Sequence, residues 1–181
     1  MNQVAFKKCV PLFLALLLIF SACTGNLGVN DSSLKSEQLI PMDQLDDLTL
    51  KIYFDSPRTG CITYPRSQEQ LVRYAESNDQ VIVVDSAKLL QHVEMLEQLN
   101  TVTLSPMTDD VRNLVSLCYV FETGNGESVF ELVTNHYGAA TAWVNGKLVA
   151  NRKIFYEIIY PFLTEEALQA TGIPQNFYSG E

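Results

Sequence analysis

Two short glycine turns in the second half, Thr123-Gly124-Asn125-Gly126 and Asn145-Gly146, constrain the fold of this chain more than any other feature. The first lies between "LVSLCYVFE" and "ESVFELVT", the second between "GAATAWV" and "KLVA". The first three flanks are rich in β-branched and aromatic residues, and the fourth is apolar after Lys147. Asn-Gly is the dipeptide of the type I′ turn, whose twist matches that of the strands it joins. Together the turns predict an antiparallel meander of about four strands. "RKIFYEIIYPFL" then closes the meander as an amphipathic helix carrying Ile154, Phe155, Ile158, Ile159 and Phe162, kinked or ended by Pro161. "TEEALQATG" adds a short helical turn, with Gly172 and Pro174 as stops.

The first half supplies more elements. "LTLKIYF" (48–54) places Leu48, Leu50, Ile52 and Phe54 on one side by its period of two, a half-buried strand. "DSPRTG" reads as a turn and "CITY" as a short strand. Ser67 and Gln70 have capping-box spacing and open a helix running to about Ser77. "QVIVVD", almost wholly apolar, is expected as a central strand. Leu89, Val93, Leu96 and Leu99 recur at helical spacing behind a cap at Asp85 or Ser86. "TVTLSP" reads as another strand or an edge. The sum is an α+β domain: a mixed or antiparallel sheet ending in a β-meander, with helices packed on one face.

The N-terminus has a different character. Lys7 and Lys8 precede an apolar run, Val10–Phe20, with no acidic residue before Asp31. The run is well short of the roughly 20 residues that span a bilayer. It suits the apolar core of a secretory signal behind a basic start. It ends in Phe20-Ser21-Ala22-Cys23, which resembles a bacterial lipobox, with Phe20 where that pattern prefers Leu. The resemblance covers residues 1–23. It implies that the chain is cleaved after Ala22 and that Cys23 is acylated. The acyl chains would anchor the protein at the extracytoplasmic face of the cell membrane, each buried methylene adding about 0.8 kcal/mol. The organisation expected is a signal peptide at 1–22, a lipidated flexible tether at 23–46, one globular domain at 47–172 and a loose tail at 173–181. A tether of this length spans about 25 Å as a flexible coil. The strand–strand–strand–helix layout also resembles small uncharacterised lipoproteins of Gram-positive bacteria, a likeness that carries no site residues.

Loss of Lys7 and Lys8 with the signal takes the formal charge from −9 to −11. That balance excludes nucleic acid as a partner, because phosphate binding rests on Lys and Arg. Of the four cysteines, Cys9 leaves with the signal and Cys23 carries lipid. Cys61 and Cys118 remain in a compartment that permits disulfides. A Cys61–Cys118 bridge and two separate thiols both stay open, the second being the simpler reading.

Chemistry is sparse. His92 and His136 are the only histidines, and neither stands in a cluster with metal-ligand spacing. Asp109-Asp110 lacks the glycine and terminal glutamate of a calcium loop and reads as a cap. No Gly-x-Ser-x-Gly elbow occurs, no motif frames Cys61, and "TGNG" lacks the lysine of a phosphate loop. No catalytic residue, metal or cofactor is therefore expected. Tyr119, Tyr137 and Trp143 form a candidate binding face if strand alternation leaves them on one open side; an aromatic-rich core is the plainer expectation. These features together suggest a membrane-anchored, non-enzymatic binding module, with an envelope protein as a further partner. The alternatives are an accessory subunit of a membrane sensor or transporter and a small envelope hydrolase.

Overall fold

Residues 38–56, 67–108 and 115–178 are described by the computed structural model. They contain a six-stranded sheet, antiparallel throughout, in the order β2-β1-β3-β4-β5-β6. The strands are β1 (Leu48–Phe54), β2 (Val81–Val84), β3 (Leu117–Thr123), β4 (Ser128–Thr134), β5 (Thr141–Val144) and β6 (Lys147–Ala150). The helices are α1 (Gln68–Ser77), α2 (Ser86–Leu89), α3 (Val93–Asn100), α4 (Ile154–Glu157) and α5 (Glu165–Thr171), with 3-10 turns at Met42–Asp47, Leu90–His92 and Tyr160–Phe162. The expected α+β class and C-terminal meander are present.

The two glycine turns form as expected. Asn145 and Gly146 both take positive φ, 47° and 73°, the backbone of a type I′ turn. Asn145 also ties the turn to β4: its Oδ1 accepts from Glu131 N at 2.8 Å, and its own N–H donates to Glu131 O at 2.9 Å. Gly124 lies against a side chain from the start of the domain. Its N–H donates to Asp47 Oδ2 at 3.1 Å, and a Cβ there would collide with that carboxylate.

Strand alternation divides the sheet into two faces. On one, Leu48, Leu50 and Ile52 meet Leu117, Tyr119, Phe121, Phe130 and Leu132, and α2, α3 and α4 add Leu89, Leu96, Leu99 and Phe155. The other face carries a smaller cluster of Tyr53, Cys118, Val120 and Val133 under Leu71 and Ala75 of α1. Helices thus cover both faces rather than the single face expected. Alternating apolar residues report that a side of a strand is buried, not which element buries it.

Ser67 and Asp85 cap α1 and α2, accepting from Gln70 N and Lys88 N. Four other expectations change. "VIVV" is an edge strand, and Val83 is 58% exposed. A continuous apolar run signals contacts on both faces, which an edge strand can also have. Second, 102–105 form no strand. The segment meets the sheet by an isolated bridge, Pro106 to Val149, flanked by the bonds from Ala150 N to Ser105 O and from Met107 N to Leu148 O. Third, the domain is longer than 47–172. Ile40 is fully buried, Leu45 nearly so, and Asn100 grips the Ile40 backbone, accepting from its N–H at 2.8 Å and donating to its C=O at 2.9 Å. At the other end Ile173 and Phe177 enter the core. Polar composition hid the isolated apolar anchors in both segments.

Fourth, the long C-terminal helix is broken. Helix α4 makes one turn, and the chain passes through Ile158–Ile159 into the 3-10 turn that holds Pro161. Proline cannot donate to the carbonyl of Glu157. That carbonyl instead accepts from Tyr178 Oη at 2.9 Å. Ile159 N bonds Tyr156 O, and the Phe155 carbonyl takes the hydroxyl of Tyr119 at 2.9 Å. Two tyrosine hydroxyls thus serve the main-chain acceptors of this turn.

Candidate functional site

The loop 135–140, between β4 and β5, meets the 151–153 segment that leads into α4. Between them lies an open cleft of about 220 Å³, lined by Tyr137, Gly138, Asn151, Arg152, Lys153 and Tyr156. Tyr156 organises it from below. Its hydroxyl donates to His136 O at 3.1 Å, accepts from Asn151 Nδ2 at 2.5 Å and lies 3.5 Å from Thr134 Oγ1. Asn151 Nδ2 also donates to Ala139 O at 2.8 Å. The loop is held from its far side by Tyr137 N–H, which donates to Thr171 O at 2.8 Å. Burial raises the Tyr156 phenol above its ordinary pKa, while the bonds from Asn151 and Thr134 pull it partly back. A phenol kept neutral and already bonded on several sides holds a loop in place; it does not serve as a base at neutral pH.

Two cations stand at the mouth. Arg152 Nη2 donates to Ser105 Oγ at 3.1 Å, and Lys153 Nζ lies 3.3 Å from Glu157 and 5.2 Å from the centre of the Phe177 ring. Aromatic rings continue along this side: Tyr137 packs edge-on against Tyr156 and Phe177, and Tyr160 stacks on Phe177. The arrangement offers charge and ring surface for binding, with no nucleophile beside a base.

The candidate binding face does not assemble. Tyr119 is fully buried in the large core, where desolvation raises its phenol well above its ordinary pKa. Tyr137 belongs to the cleft just described. Trp143, half-buried, packs with the smaller cluster on the opposite face of the sheet. Strand register puts Tyr119 and Trp143 on opposite faces, since Val133 pairs with both Cys118 and Trp143. Register, which the sequence does not print, was needed to see it. Tyr137 found ring partners in Tyr156 and Phe177 that its sequence neighbourhood did not announce.

The remaining candidates scatter. Cys118 is a buried free thiol whose pKa is raised mainly by burial, with Glu131 adding to the effect. Cys61, its candidate partner in a disulfide, lies outside the described residues, as do Cys23, residues 1–22 and Asp109-Asp110. His136 is exposed on the loop and contributes its carbonyl to Tyr156; His92 packs edge-on against Phe162 at 5.1 Å. Among the described residues no group of three or more His, Cys, Asp or Glu is placed to hold a metal ion. No described helix is long and apolar enough to cross a membrane. Comparison with protein-family models, with curated proteins and with solved structures finds no match, so the functional reading rests on this chain's own residues.

Proposed function

We propose that the protein is a lipid-anchored binding module held at the extracytoplasmic face of the cell membrane, without enzymatic activity or cofactor. The observation that carries this reading is the Phe20-Ser21-Ala22-Cys23 tetrad directly behind a short apolar run. Secretory signals have such runs, and an acylated cysteine at their end supplies membrane affinity through its chains. A first acylated residue at Cys23 leaves a short polar stretch before Ile40 docks in the core. The acidic surface of the mature chain suits a soluble domain standing off anionic head groups. The cleft at Tyr156 supports binding over catalysis, since its polar atoms are engaged with one another and its cations are at the mouth.

The test is Cys23→Ser. In wild-type cells the protein is expected to label with a palmitate analogue and to stay with membranes after alkaline wash. Intact mass should show a lipidated Cys23 as the first residue. The variant is expected to lose the label and leave the membrane fraction. A Cys23→Ser protein that remains membrane-bound through the wash refutes the anchor.

A further inference from the structure

The two edges of the sheet are finished differently. At β6 the chain segment 105–107 lies alongside: Ala150 N donates to Ser105 O at 2.9 Å and Met107 N to Leu148 O at 3.1 Å, with Pro106 between them. At β2 no described segment pairs with the outer side. Phe54 N donates to Gln80 O at 3.3 Å, and the pairing continues as Ile52 with Ile82 and Leu50 with Val84. Antiparallel pairs alternate between hydrogen-bonded and non-bonded. Val81 and Val83 therefore turn their N–H and C=O groups away from β1. Exposed edges are normally blunted by a charge, a proline or a bulge. None stands in Val81–Val84, and Val83 is 58% exposed.

Beside this edge runs a groove of about 330 Å³, lined by Ile82, Val84, Lys88, His92, Pro161 and Phe162. An added strand would place alternate side chains over the groove next to Ile82 and on the other face next to Val83. The ends of the edge carry the signal for what is added. Asp79 and Asp85, both exposed, bracket Val81–Val84, against one cation, Lys88, in the groove. In a second copy paired about Ile82, antiparallel register would set Asp79 of each chain opposite Asp85 of the other. Like charges directly opposite are destabilising.

We infer that β2 is a docking edge for an extended peptide segment with an apolar centre and basic residues at both ends, which binds by adding a strand beside Val81–Val84. Main-chain bonds to Val81 and Val83 supply affinity, the groove receives alternate apolar side chains, and Asp79 and Asp85 select the flanks. The inference rests on the binding-module reading but not on the lipid anchor, so failure of the Cys23→Ser test leaves it standing.

The experiment uses full-length protein in detergent micelles and the capped peptide Lys-Lys-Ile-Val-Ile-Lys-Lys, with a glutamate-flanked counterpart as the comparison. Saturable binding of the basic peptide is expected, with the acidic peptide about tenfold weaker or more. Hydrogen exchange of the Val81 and Val83 amides should slow on saturation, since both become bonded. Val83→Pro should abolish binding; its N–H makes no bond to β1, so the fold is expected to survive, as near-UV circular dichroism will show. Asp79→Asn keeps a residue type that tolerates the positive φ of 57° and should weaken the basic peptide about threefold. Any one of these results overturns the inference: no saturable binding of the basic peptide, equal binding of the acidic one, or unchanged exchange at Val81 and Val83. So does a dimer that protects both amides without peptide.

Discussion

Tyr119→Phe tests the packing logic of the fold at a single oxygen. In the native protein the Tyr119 hydroxyl, fully buried, donates to the Phe155 carbonyl at 2.9 Å, inside the turn that Pro161 prevents from continuing as helix. The variant keeps the ring against Phe121 and Phe130 and removes only the donor. Loss of the bond costs about 1 kcal/mol net, and leaving a buried carbonyl without its partner adds about 1–3. The expected destabilisation is about 2–4 kcal/mol. Urea unfolding at neutral pH, followed by far-UV circular dichroism and the single tryptophan, Trp143, should show the midpoint falling by about 1 M or more. The melting temperature should fall by roughly 5–10 °C.

The same residue predicts an alkaline signature. Burial holds the folded Tyr119 phenol well above its ordinary pKa, whereas in the unfolded chain it ionises near the usual value of about 10. Above that pH the unfolded state has released a proton that the folded state retains. Stability is therefore fully present below pH ~10 and declines above it, by up to ~1.4 kcal/mol per pH unit for each such tyrosine. Tyr156 contributes in the same direction. Tyr119→Phe should remove one proton's worth of this slope. A variant within about 0.5 kcal/mol of wild type at pH 7, or one with an unchanged slope above pH 10, refutes the reasoning.

Other consequences are checked by standard measurements. Ile40→Ala should cost about 2–5 kcal/mol in urea unfolding, as a core residue does and a tether residue does not. Gly146→Ala places a Cβ at a φ of 73° and should lower stability by about 1–2 kcal/mol while leaving the cleft intact, read by thermal melting. The Cys118 thiol, buried and raised in pKa, should resist iodoacetamide at pH 8 in the native protein and react once urea unfolds it. Native-state labelling of Cys118 would contradict its burial. Asn151→Ala should destabilise by about 1–3 kcal/mol and speed amide exchange across 135–140, because it frees both Ala139 O and Tyr156 Oη.

Local chemistry was readable residue by residue. The turn at Asn145-Gly146 and the caps at Ser67 and Asp85 follow from interactions within four residues, and they form as their side chains dictate. Period-two alternation identified β1, and the two glycine turns with their flanking segments identified β3, β4, β5 and β6. The resemblance of Phe20-Ser21-Ala22-Cys23 to a lipobox and the charge balance likewise needed no fold to be read. What depends on long-range packing was not readable. The central place expected for "VIVV" became an edge because β1 pairs with β3 on its other side, a choice made between segments far apart in sequence. Ile40 and Phe177 joined the core only because Asn100 and Tyr137 await them. The candidate binding face of Tyr119, Tyr137 and Trp143 dissolved for the same reason: side-chain direction is local, but which face is buried is decided by register. By itself the sequence determined the turns, the caps and the strand-forming segments, because each is governed by dihedral preference and nearby hydrogen bonds. Only the tertiary structure decided the strand order, the aromatic wall beside the Tyr156 cleft and the open edge at β2, because those depend on which apolar surfaces meet.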